Sequence, residues 1–154
     1  MPSEEHKLTL DQQRAKHALA RVKEVVDENY KTQYRAYVRS LPLQLTMNGL
    51  GQTIALEMAG MSRDGAIGDG HRAVLRHALH WLAGGTTGWE TSPYAASNQP
   101  PGEDVLNEGE ALLNAIMDQD ESDMLRAQQE LMAYLKWLKT FAEALIPPPE
   151  REDA

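Results

Sequence analysis

The sequence predicts an all-α fold, a compact bundle of about five to six helices with a bend or break near Pro42. Apolar residues recur at steps of three and four along most of the chain, and glycine or proline punctuates the periodic segments. No alternating stretch is long enough for a strand except "LPLQLTM", which lies between two helical patterns. A chain of 154 residues builds one core rather than two, so residues 1–154 are read as a single helical domain. Its irregular parts are a polar N-terminal tail at 1–9, a long loop at 84–103 and a C-terminal tail at 147–154.

The elements follow in order. Thr9 is a natural N-cap, and Ala15, Leu19, Val22 and Val26 mark one face of a helix from Leu10 to Asn29. A second stripe, Tyr30, Tyr34, Tyr37 and Leu41, runs up to Pro42, and Met47, Leu50, Ile54, Met58 and Met61 mark a third. At about 100° per residue the second and third stripes point in nearly opposite directions on a straight helix. The helix therefore bends or breaks around Pro42, which removes a bond to the Val38 carbonyl, or is buried on both sides, with Leu41, Leu43, Leu45 and Met47 as a hub. The glycines of "SRDGAIGDG" predict a loop, and Asp69 is placed to cap the helix "HRAVLRHALHWLA". After the Gly/Pro/Ser/Thr-rich loop, "DVLNEGEALLNAIM" reads as a short helix. Ser122 with Asp123 opens the longest helix, which Pro147, Pro148 and Pro149 stop.

Composition removes several functions. Without cysteine there is no disulfide, thiolate nucleophile or thiolate metal site, which fits a reducing, cytoplasmic setting. "MPSEEHK" is no signal peptide, and no apolar run reaches the roughly 20 residues that span a bilayer. The net charge of -8 is unevenly spread: Met1 to Ser40 holds eight Lys and Arg against six Asp and Glu, whereas Trp81 onward holds four against fourteen. A locally basic surface on the first half is compatible with that distribution.

No catalytic, cofactor or metal motif survives inspection. In "NGLGQTI" the third glycine of a dinucleotide fingerprint is replaced by Ile54, and a phosphate loop would need glycine at Thr46 and lysine at Gln52. His71, His77 and His80 lack a carboxylate at ligand spacing and are read as surface or boundary histidines. "DQDESD" has Asp123 where a calcium loop needs glycine and Gln129 where it needs glutamate, so it reads as a link between helices. A metal-dependent nuclease would use Asp118, Asp120 and Glu121. The basic residues are better organised: Lys31, Arg35 and Arg39 fall at four-residue steps on one helix face, Arg14, Lys16, Arg21 and Lys23 could extend it, and Lys136 and Lys139 flank Trp137.

Two stretches carry a resemblance. "YRAYVRSLPLQLTMNGLGQTIALEM" and "ELMAYLKWLKTFAEALI" resemble the two signature regions of the small subunit of Cmr complexes, the type III-B CRISPR RNA-guided effectors of antiviral defence. The resemblance runs from about Leu10 to Ile146. It implies a non-catalytic structural protein that stacks with neighbouring copies of itself beside the backbone and large subunits. It further implies contact with guide RNA and target RNA through the sugar-phosphate backbone, since base pairing reads the sequence. The RNA-binding positions it suggests are Lys31, Arg35, Arg39, Lys136 and Lys139, then Asn48 and Gln52. Thr140 stands where many relatives have a second basic residue. The other reading is a helical protein–protein adaptor without RNA contact, motivated by the acidic second half.

Overall fold

The computed structural model describes residues 8–82, 104–118 and 120–150. Over these, five helices follow one another with no strand: α1 (Leu10–Lys23), α2 (Lys31–Gly60), α3 (Gly65–Leu82), α4 (Val105–Asp118) and α5 (Glu121–Leu145). The loop expected at 84–103 lies outside the described residues.

The Thr9 hydroxyl accepts the Gln12 N–H at 3.1 Å and the Gln12 side chain accepts the Thr9 N–H at 2.8 Å, a reciprocal cap that starts α1 as expected. The helix stops at Lys23 rather than Asn29. Beyond it Val25 and Glu28 donate to carbonyls three residues back, and Val25 is buried like Val22, so a turn carries on the apolar rhythm of a helix. The third helix starts earlier than its periodicity suggests: Gly65, Gly68 and Gly70 lie inside α3, where tertiary packing overrides their poor helix propensity. Asp120, not Ser122, caps α5 by accepting the Asp123 N–H at 3.2 Å.

The central helix departs most from expectation. α2 continues through Pro42 and breaks seven residues later at Gly49, whose φ of 80° and ψ of 170° are accessible essentially to glycine alone. The break is a reversal. Tyr37 and Glu57 are 20 residues apart, about 30 Å on a straight helix, yet both touch His71: Tyr37 stacks on its ring at 3.7 Å and Glu57 accepts its Nδ1–H at 2.7 Å. The Thr53 hydroxyl likewise donates to the Gln44 carbonyl at 3.3 Å, a bond between the two arms of α2. Gly60 leaves the room this needs, because a Cβ there would sit 2.6 Å from the His71 ring. The alternation of "LPLQLTM" has no role of its own: Leu41 and Leu45 are buried one turn apart, while Leu43 and Met47 are 64% and 74% exposed.

α3 packs on both arms of α2, α4 lies on the second arm through Met58 and Gly51, and α5 joins α1 to α2. Where α1, α2, α3 and α5 meet, the core is aromatic and polar. Trp81 stacks on Tyr134 at 5.0 Å, His17 Nδ1 and the Tyr134 hydroxyl share a 2.6 Å hydrogen bond, and the Tyr34 hydroxyl meets His77 Nδ1 at 2.8 Å. His77 is 1% exposed, so the surface or boundary placement expected for it is wrong; its other nitrogen lies 3.6 Å from Glu24. Periodicity cannot tell a buried histidine from a boundary one; only the hydroxyl across the core does. At the other end of α1, Arg14 holds Glu130 with Nε at 3.1 Å while also meeting Asp11, and the Glu130 side chain is 8% exposed.

Burial holds His17 neutral, helped by the neighbouring His80, Arg21 and His77, and lowers its pKa to about 3. Burial also lowers that of His77. An unfolded chain binds protons on both histidines below about pH 6.5, so stability is complete above that value and is lost as pH falls toward 3. Glu57, whose carboxyl is pushed up by burial, contributes the opposite sign. We expect the melting temperature to drop between pH 7 and 5, and to drop less in a His17→Gln variant; parallel curves for the two proteins by circular dichroism would remove His17 as the cause. Glu130→Ala strands the Arg14 guanidinium and is expected to cost about 2 kcal/mol in urea unfolding, whereas the exposed Glu143→Ala costs less than about 0.5 kcal/mol.

Candidate nucleic-acid interface

The basic positions gather where the first arm of α2 runs beside the end of α5. Arg35 Nε donates to the Ile146 carbonyl at 3.0 Å, Arg39 Nε lies 3.7 Å from Glu143, and the Leu50 N–H donates to Gln128 Oε1 at 3.1 Å. Partners on α5 step backward as α2 advances, so the two helices are antiparallel. Helical spacing puts Lys139 one turn before Glu143 and Lys136 one turn before that. The antiparallel register then sets the two lysines level with the stretch from Leu43 to Thr46.

Arg35 and Arg39 line an open groove of about 380 Å³ together with Thr32, Ala36, Ser40, Leu43 and Pro149. Their roles in it differ. Arg35 is half-buried and its Nε serves the last carbonyl beyond α5, so it anchors the floor. Arg39 is 66% exposed and its contact with Glu143 is long, which leaves the guanidinium accessible to an anion. The Ser40 hydroxyl donates to the Tyr37 carbonyl and accepts from Gln44, a polar group in a wall that Ala36, Leu43 and Pro149 keep mostly apolar. Thr32, Ser40 and Pro149 are not among the positions expected from sequence. Pro149 has no signal there, because it belongs to a tail that meets the groove only through the fold.

The other predicted positions divide. Lys31 opens α2 one turn before Arg35 and is half-buried. Lys136 is exposed and Lys139 half-buried on α5. Asn48 and Gln52 are exposed on either side of the Gly49 reversal, about 13 Å along the helix from Arg39 for Asn48. The backbone between them is turned inward: the Leu50 N–H answers Gln128 of the same chain. Arg14 and Arg21 do not extend this surface, since Arg14 is held by Glu130 and Asp11 and Arg21 by Glu24. Trp137 donates its indole N–H to Asp11 at 3.0 Å and stacks on Phe141 at 5.6 Å, so it ties α5 to α1. Asp120 is occupied as the cap of α5, and among the described residues no three His, Asp or Glu side chains converge on a metal site.

Comparison with known proteins agrees with the sequence signatures. The family model described as CRISPR-associated protein (Cas_Cmr5) matches residues 10–145. The fold is similar to the crystal structure of a CRISPR-associated Cmr5 family protein from Thermus thermophilus, with a TM-score of 0.66 and 23% identity over 92% of this chain and 100% of that one. No helix among the described residues is long and apolar enough to cross a membrane. With the first signature region inside the matched span and the second inside it up to Leu145, the chain belongs to the Cas_Cmr5 family, the small subunits of type III-B CRISPR Cmr complexes.

Proposed function

We propose that this chain is a non-catalytic structural subunit that stacks with neighbouring copies and lines the channel for guide RNA and target RNA in the cytoplasm. The observation that carries the RNA reading is the groove between the first arm of α2 and Pro149, where an exposed Arg39 stands beside hydroxyl groups, with Lys136 and Lys139 on the neighbouring α5. Flexible cations beside an open groove suit a sugar-phosphate backbone: they neutralise phosphates without reading bases. Arg35 shapes the groove, and Lys31 continues its basic edge. Asn48 and Gln52 mark the far end, where uncharged amides can donate to phosphate or ribose oxygens. The chain acts as one helical body, from the cap at Thr9 to the prolines after α5.

A second reading, a protein–protein adaptor, has one observation in its favour: Leu43 and Met47 form an exposed apolar ridge one turn apart on α2. The two readings separate by experiment. In an effector complex assembled with guide RNA, charge reversal at Arg39, Lys136 and Lys139 together is expected to weaken target-RNA binding and to reduce the slope of log affinity against log salt by about 2; an unchanged slope takes these residues out of the channel. Met47→Glu, outside the groove lining, should leave that slope intact and, if the ridge is a docking face, remove the chain from the co-purified complex; retention at wild-type stoichiometry rules the adaptor reading out.

A further inference from the structure

α2 doubles back at a single residue. Both arms are helical up to Gly49, the one position of the helix with non-helical backbone angles. Space is not what reserves the position for glycine: a Cβ there would meet only Gln128 Oε1, at an ordinary 3.8 Å. The restriction is in the backbone, whose φ of 80° and ψ of 170° other residues hold only under strain. The turn is closed by groups outside it. Gln128 accepts the Leu50 N–H, Thr53 donates to Gln44, and His71 clasps Tyr37 and Glu57.

A cut at Gly49 divides the chain into two parts, α1 with the first arm, and the second arm with α3, α4 and α5. The contacts that join the parts include Arg14 with Glu130, His17 with Tyr134, Tyr34 with His77 and Arg35 with Ile146. None of them requires the two parts to come from one chain. Straightening Gly49 into helical angles would restore the helical hydrogen bonds lost at the reversal and give one helix of 30 residues, about 45 Å long.

We infer that Gly49 is a hinge through which α2 opens and exchanges its first arm, with α1, for that of a second copy of this chain. The closed monomer is favoured at low concentration because its parts are already tethered; the exchanged dimer keeps the contacts that join the two parts and adds a continuous helix. This exchange is distinct from stacking through outer surfaces, which leaves the reversal closed.

The test uses the full chain. Gly49→Ala, which strains the closed form and favours the helix, is expected to move most of the protein to twice the 17.2 kDa of the monomer in light scattering. The chain has no cysteine, so Ser40→Cys with Ala59→Cys, both exposed, accept a pair of spin labels. With labelled chains diluted in unlabelled ones, the distance within a chain should lengthen to about 28 Å, the rise of a continuous helix over that span. A folded Gly49→Ala monomer that keeps the short wild-type distance overturns the hinge. Should that variant not fold, wild-type chains refolded from denaturant at high concentration decide the matter: a dimer that survives dilution and shows the long distance supports exchange, and monomers or dimers with only the short distance overturn it.

Discussion

One backbone angle pair, at Gly49, sets the arrangement of everything that follows it. Because α2 folds back there, His71 on α3 reaches both arms, and α4 finds the second arm beside α3 rather than at the far end of a long rod. The first arm is left to α3 on one side and α5 on the other, and its remaining face carries Arg39, Ser40 and Leu43. The groove is thus a by-product of how α2 is partitioned. Gln128 matters out of proportion to its size, since it satisfies the Leu50 N–H that the reversal deprives of a helical partner.

The aromatic and polar core is the second organising feature. Four helices converge on two histidines and two tyrosines, and each tyrosine hydroxyl finds an imidazole nitrogen at hydrogen-bond distance. A purely apolar set of the same volume would pack as tightly but accept more arrangements. Here a slip of one residue in α1 or α3 would leave a buried hydroxyl unmatched, at a cost of about 1–3 kcal/mol. His17 and His77 therefore act as register pins for helices whose apolar faces alone are permissive.

Much of this architecture was legible in the chain because it depends on local rules. The cap at Thr9, the stop at Pro147 and the stripe through Leu131, Leu135 and Leu138 follow from periodicity and end signals. The family, too, was legible in the two signature regions. What was not legible depends on partners far away in sequence. The opposed stripes of α2 showed that the helix must change direction, but proline is the usual suspect and Pro42 is tolerated, whereas Gly49 owes its role to backbone angles that only the fold demands. Arg14 and Arg35 look alike in sequence to any basic residue on a helix; Glu130 and the Ile146 carbonyl, more than 100 positions on, turn them inward. Of the predicted interface, the grouping of Arg35 with Arg39 was readable from four-residue spacing, and the participation of Pro149 was not.

The docking of α1 on α5 also bears on how the molecule comes into being. His17 and Tyr134 are 117 positions apart, and Trp137 reaches Asp11 across 126. During synthesis α1 emerges first with one face made for a helix that does not yet exist, and it must wait, its histidine still hydrated and free to take up protons, until α5 is released. Helices gather quickly through local contacts, whereas this last closure carries the entropy of a loop nearly as long as the protein. The joining of the first helix to the last is thus the contact with the longest loop to close, and it has to wait until α5 has been made.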